Sequence, residues 1–180
     1  RFYVVSERQP VPPSPAWEVK SQPYQPQLSE GQCLAFQLCA NPVVAIKSAS
    51  GKSRRHDVVM HAKKLLLAER GLGDGVQWKQ LAAGENKPPL YDLVHETCLA
   101  WLKTRGAANG FEIISAAVDA YTQNKTNKQK SKESAIQFST VDFSGDLRIT
   151  DAELFKKVLF AGLGHAKGFG CGLLLVKRRA

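Results

Sequence analysis

Residues 162 to 172 read Gly-Leu-Gly-His-Ala-Lys-Gly-Phe-Gly-Cys-Gly, five glycines in eleven positions. Without a Cβ these positions reach dihedrals closed to other residues, so the backbone can turn sharply and aim several amides at one point, such as a phosphate. The flanking residues fix the place of this segment in a fold. Thr150-Asp151-Ala152-Glu153 has the pattern of a capping box, which predicts a helix from there to about Ala161. Leu154 with Val158, and Phe155 with Leu159, would form its buried side. After the glycines, Leu173-Leu174-Leu175-Val176 is continuously apolar, as expected of a central strand. The segment is therefore a helix-to-strand corner. A dinucleotide fingerprint needs the reverse order and a different glycine spacing.

Upstream, the period of the apolar residues changes repeatedly. Residues 2–6 and, more weakly, 17–20 read as strands, separated by a connector holding Pro10, Pro12, Pro13 and Pro15. Over 32–38, Leu34, Phe36 and Leu38 alternate with Cys33, Ala35 and Gln37, the pattern of a half-buried strand. Asn41-Pro42 breaks it, and the small, polar residues 48–53 predict a linker. Residues 58–68 fit a strand or a helix. The spacing of Val94, Cys98, Trp101 and Leu102 predicts a helix over 90–105, stopped by Gly106. Strands are expected over 111–118 and 135–149, the latter folded as a hairpin at Ser144-Gly145, with 121–133 as a loop or hairpin tip.

This order approximates βαββαβ, an α+β chain of two tandem ferredoxin-like (RRM-like) domains, the first incomplete at its amino terminus. The expected division is a first domain over 1–46, a basic linker over 47–56 and a second domain over 57–180.

The formal net charge is +9, which favours a polyanionic partner. The cations are clustered: Lys47, Lys52, Arg54 and Arg55; then Lys125, Lys128, Lys130 and Lys132; then Lys177, Arg178 and Arg179. No apolar run approaches the roughly 18 residues of a membrane span, and the first residues lack the pattern of a signal peptide. Cys33, Cys39, Cys98 and Cys171 form neither a CxxC nor a zinc-finger spacing, so reduced thiols in a cytoplasmic protein are expected. Asp142, Ser144, Asp146 and Glu153 mimic a calcium loop, but Leu147 stands where its turn needs glycine. Of His56, His61, His95 and His165, only His165 lies in a candidate ligand loop, so it alone is a candidate proton shuttle.

The run from Gly162 to Val176 resembles the carboxy-terminal glycine signature of CRISPR repeat-processing endoribonucleases, in particular the CasE branch serving the Cascade complex of type I-E systems. Leu38-Cys39-Ala40-Asn41-Pro42, Val141-Asp142-Phe143-Ser144-Gly145-Asp146-Leu147 and Phe2-Tyr3-Val4-Val5 resemble further stretches of that family. The resemblance implies two ferredoxin-like domains in a prokaryotic protein that binds the hairpin of the CRISPR repeat. It also implies cleavage at the 3′ base of the stem without metal or other cofactor, the 2′-hydroxyl attacking the adjacent phosphate, and retention as a Cascade subunit beside the other subunits. It implies RNA contacts from a basic hairpin carrying Lys125, Lys128, Lys130 and Lys132. Contacts are implied also for Gly164, His165, Lys167 and Gly168 of the loop, and for Arg54 and Arg55. The implied catalytic histidine belongs to a first helix expected to precede residue 1, and none of the four histidines occupies that place. Where relatives often carry a basic residue, this chain has Cys39. The alternative reading is a non-catalytic tandem RNA-recognition module that stacks unpaired bases on sheet aromatics.

Overall fold

Alternation makes the first strand: β1 (Cys33–Ala40) buries Leu34, Phe36, Leu38 and Ala40 along one face. The structure, a computed structural model, describes residues 3–12, 14–47, 51–72, 78–81, 87–126 and 136–179. After β1 come β2 (Val43–Lys47), β3 (Ser53–Asp57) and α1 (Val58–Glu69), then α2 (Leu90–Ala107), β4 (Phe111–Thr126), β5 (Ile136–Ile149), α3 (Ala152–Ala161) and β6 (Leu174–Arg178). Four strands form an antiparallel sheet in the order β4-β5-β1-β6, while β2 and β3 pair separately as a hairpin. With that hairpin and α1 set aside as an insertion, β1-α2-β4-β5-α3-β6 is a βαββαβ unit, the ferredoxin-like α+β fold expected from the sequence.

The assignment of strands to domains changes. Cys33–Ala40 was expected in a first domain, yet β1 lies inside the sheet of the second, paired to β5 from Cys33↔Arg148 to Ala40↔Val141 and to β6 from Leu34↔Arg178 to Leu38↔Leu174. A boundary after residue 46 would remove the strand that joins β5 to β6. The expected linker 47–56 instead contributes to the β2–β3 hairpin, where Arg54 stands opposite Ile46 and Arg55 opposite Ala45. Residues 3–6 and 17–20 form no strand.

Helix α1 resolves the ambiguity at 58–68: the Asp57 carboxylate accepts the Met60 amide at 2.7 Å, and this cap favours a helix start over a strand. Helix α2 runs past Gly106, which is buried inside it, and Val94, Cys98, Trp101 and Leu102 all face the core as their spacing predicts. The cap of α3 is Asp151, accepting from the Leu154 amide at 2.9 Å, one residue beyond Thr150. Phe155, Val158 and Leu159 are buried, whereas Leu154 is 40% exposed.

Two local signals mislead about position in the sheet. Strand β5 passes unbroken through Ser144 and Gly145, where a turn was expected. Gly145 is flanked by Phe36 of β1 and Ala116 of β4. A register shift in β4 brings the Ser115 carbonyl against it, where a Cβ would collide, so the glycine marks close strand approach. Strand β6, expected to be central, is an edge strand. Its Lys177 and Arg178 suit that place, since charge on an edge discourages pairing with other chains.

The core lies between the helices and one sheet face. Trp101 of α2 stacks over Phe143 of β5 with ring centres 6.3 Å apart, and Phe111 of β4 meets Phe155 of α3 edge-on at 5.6 Å. Because β1 pairs only with 141–148 of β5, residues 136–140 and their partners 122–126 of β4 project beyond it as a two-stranded arm. Five residues at about 3.4 Å each make the arm roughly 17 Å long.

Candidate nucleic-acid interface

The end of β1, the start of β6 and the root of the arm fall at one end of the sheet, and the glycine-rich corner is tied there. Gly162 closes α3 by donating to the Val158 carbonyl at 2.7 Å. Leu163 is buried, and its amide donates to the Gly172 carbonyl at 2.7 Å, while the Gly172 amide donates to the Cys39 carbonyl at 2.7 Å. Gly172 has φ +94, and a Cβ on it would lie 2.7 Å from the Leu163 carbonyl oxygen, so the neck of the loop requires glycine.

Within the loop, Phe169 donates to the Ala166 carbonyl at 2.9 Å, Gly170 to Lys167 at 3.0 Å and Cys171 to Ala166 at 3.4 Å. Those three amides turn inward, so they are not part of a phosphate cradle. The loop presents side chains instead. Lys167 donates to the Ala161 carbonyl at 2.6 Å, placing its ammonium over the carboxy-terminal end of α3, where the helix dipole favours a cation. A Cβ on Gly164 would lie 3.4 Å from the Trp101 ring, whereas one on Gly168 would meet nothing within 4 Å.

His165 pairs with Asn41 in an isolated antiparallel bridge at the end of β1. Burial first, then the positive charges of Arg55, Arg105 and Lys167, hold its imidazole below the ordinary 6.5. Those three cations converge on one side chain from β3, α2 and the loop. Arg54, its neighbour on the strand, alternates to the other face of the hairpin. Among the described residues the charged groups acting on His165 are Arg55, Arg105 and Lys167, and none is an acidic partner for a proton shuttle.

The loop also meets the arm. The rings of Phe169 and Phe138 lie with centres 4.8 Å apart, and Phe138 pairs across the arm with Asn124, next to the exposed Lys125. Lys128, Lys130 and Lys132 lie outside the described residues. At the arm root, buried Asn41 donates to the Ser139 carbonyl at 2.7 Å. The Ser139 hydroxyl donates to Asp57, and the Tyr121 hydroxyl donates to the same carboxylate at 3.1 Å. Burial, chiefly, pushes the Tyr121 phenol up to about 12. Burial first, then Asp142, push the Cys39 thiol up to about 12, so it stays neutral.

Sequence reasoning missed Arg105, Asn41 and the Asp57–Tyr121–Ser139 knot. Arg105 had a local signal, since it follows Trp101 by four residues on a helix and its guanidinium lies 5.8 Å from the indole centre. Asn41 was read only as the end of a strand. Asp57 as the cap of α1 had a signal three residues before Met60.

A ferredoxin-like sheet with cations gathered at one end, around a glycine corner and a projecting arm, defines a protein suited to a polyanion. Residues 1–178 match the family model described as CRISPR associated protein, and the chain belongs to that family. Among solved structures it resembles CRISPR endoribonuclease Cse3 bound to 19 nt RNA, at 26% identity and TM-score 0.56, covering 87% of this chain and 61% of that one. It also resembles Thermus thermophilus Cse3 bound to an RNA representing a pre-cleavage complex, at 24% identity and TM-score 0.56, covering 87% and 58%. A CRISPR RNA-guided surveillance complex is similar in fold, at 17% identity and TM-score 0.55, covering 92% and 67%. The likeness lies with the CasE-type branch indicated by the glycine signature, and the chain spans about three fifths of the length of those Cse3 chains. No curated protein matches the chain. Among the described residues no helix is long and apolar enough to cross a membrane.

Proposed function

We propose that this chain grips the hairpin of a CRISPR repeat RNA as part of a CasE-type endoribonuclease that remains in a Cascade complex in a prokaryotic cytoplasm. The observation that carries this reading is the Phe138–Phe169 contact, which makes the arm and the cationic loop one continuous surface. A folded RNA suits it, because an A-form stem hides its base edges and is held through phosphates and shape. Arg55, Arg105 and Lys167 would take phosphates at the loop, while Lys125 would take one on the arm. In the full-length protein the reaction is a metal-independent transesterification at the 3′ base of the stem. The 2′-oxygen bonds to the adjacent phosphorus as the bond to the 5′-oxygen breaks. The residues described above hold and orient the RNA, and in the free chain burial and the neighbouring cations disfavour protonation of His165.

Competition between a repeat hairpin and an unpaired RNA of the same composition, using protein from the full reading frame, tests this reading. The hairpin should win. Preference for the linear RNA would favour the tandem RNA-recognition module instead. Gly168→Val gives a second readout, because its side chain would enter open space in the free protein and leave stability unchanged. Hairpin affinity should fall in that variant; unchanged affinity would remove the loop from the interface.

A further inference from the structure

We propose that the pocket between the first turn of α1 and the arm holds one unpaired nucleobase bearing an exocyclic amine, from a nucleotide flanking the stem. This rests on the hairpin-binding reading above. The pocket has a volume of about 450 Å³, room for a planar heterocycle. It lies beside the cationic loop: Ser139, on its wall, is the residue whose carbonyl Asn41 holds, and Asn41 is bridged to His165.

The chemistry of the lining selects the ligand. Asp57 lines the pocket, with its Oδ1 accepting the Met60 amide and the Tyr121 hydroxyl and its Oδ2 accepting the Ser139 hydroxyl. An ionised carboxylate offers about four acceptor positions, and donors among the described residues fill three of them, which leaves one on Oδ2. It calls for an N–H donor. Gln123 and Gln137 stand on the same face of the arm, because Gln123 pairs with Ser139 and Gln137 with Lys125. Each amide carries both a donor and an acceptor, the combination that reads the edge of an unstacked base. Met60 gives the pocket an apolar side, and Lys125 brings a positive charge for the phosphate of the same nucleotide. The lysine also separates a nucleotide from a free cationic amine, which it would repel. Adenine, cytosine and guanine offer that donor as an exocyclic amine; uracil offers only its ring N3–H, flanked by two carbonyl oxygens that the Asp57 carboxylate would repel.

The test scans the nucleotides flanking the stem of a repeat hairpin, replacing each in turn by adenosine, cytidine, uridine or an abasic residue. Binding is measured to protein from the full reading frame and to its Gln123→Ala/Gln137→Ala variant. Both glutamines are exposed on the arm, so the double variant keeps the fold. At one flanking position, uridine and the abasic residue should each weaken binding by about tenfold relative to cytidine or adenosine. The double variant should lose that discrimination. A flat scan with hairpin binding intact would overturn the pocket and leave the hairpin reading standing. Equal binding of uridine and cytidine at a position sensitive to abasic replacement would overturn the amine requirement. Loss of all hairpin binding in the parent protein would overturn both readings.

Discussion

The field at His165 would change sign when RNA phosphates join the three cations around it. In the free chain, burial and three cations disfavour its protonated form, so the folded state binds a proton less readily than the unfolded chain. Folding stability contributed by this group is therefore present above 6.5 and lost as pH falls through the lowered folded value. RNA phosphates among the same cations would reverse the field and favour the imidazolium. Complex formation then takes up a proton, and affinity should rise as the solution is acidified from neutrality, by at most about tenfold per pH unit for one proton. His165→Gln should abolish that rise while leaving affinity near neutral pH unchanged. Anisotropy titrations across the range measure it, and a rise that survives in the variant would assign the proton to another group.

At the level of elements, α3 positions the glycine corner, and its start depends on a single carboxylate. Asp151→Ala removes the acceptor for the Leu154 amide and should cost about 1 kcal/mol. In a chain of this size that lowers the melting temperature by about 2–4 °C. Thr150→Ala should leave it nearly unchanged, and the reverse ranking would return the cap to Thr150. This one-residue offset shows how far local pattern reaches. Helices α2 and α3 were legible, unlike α1, because their burial follows a period that neighbouring residues carry: Val94, Cys98, Trp101 and Leu102 need no knowledge of what covers them. Strand alternation in β1 likewise revealed its buried face, yet not that β5 and β6 lie beside it. The apolar run at β6 was misread as central because hydrophobicity reports burial of the faces and is silent on whether an edge is covered. The β2–β3 hairpin escaped because Arg54 and Arg55 are both exposed, leaving no apolar rhythm to read. In the candidate site, the loop announced itself through glycine. Its supports did not, because the Asn41 side chain finds its partner 98 residues away.

Across the whole molecule the +9 charge is unevenly useful. Arg55, Arg105 and Lys167 act on one imidazole, and Lys125 lies on the arm that touches their loop. On edge strand β6 the situation differs. Lys177 pairs across with Ala35 and Arg178 with Leu34, and the following Arg179 lies 3.7 Å from the Asp146 carboxylate. That edge is separated from β5 and the arm by the width of β1. One rigid stem seated on the loop and arm would release counterions at the first set and leave the second hydrated. Replacing Arg55, Arg105 and Lys125 by alanine should therefore reduce the slope of log affinity against log salt by up to about 0.9 per lost phosphate contact, taking the duplex-DNA value. Replacing Lys177 and Arg178 lowers net charge by two, against three for the first set, and should leave the slope unchanged. If both sets flatten the slope equally, the chain attracts RNA through its overall field, and the loop and arm do not form a bounded site.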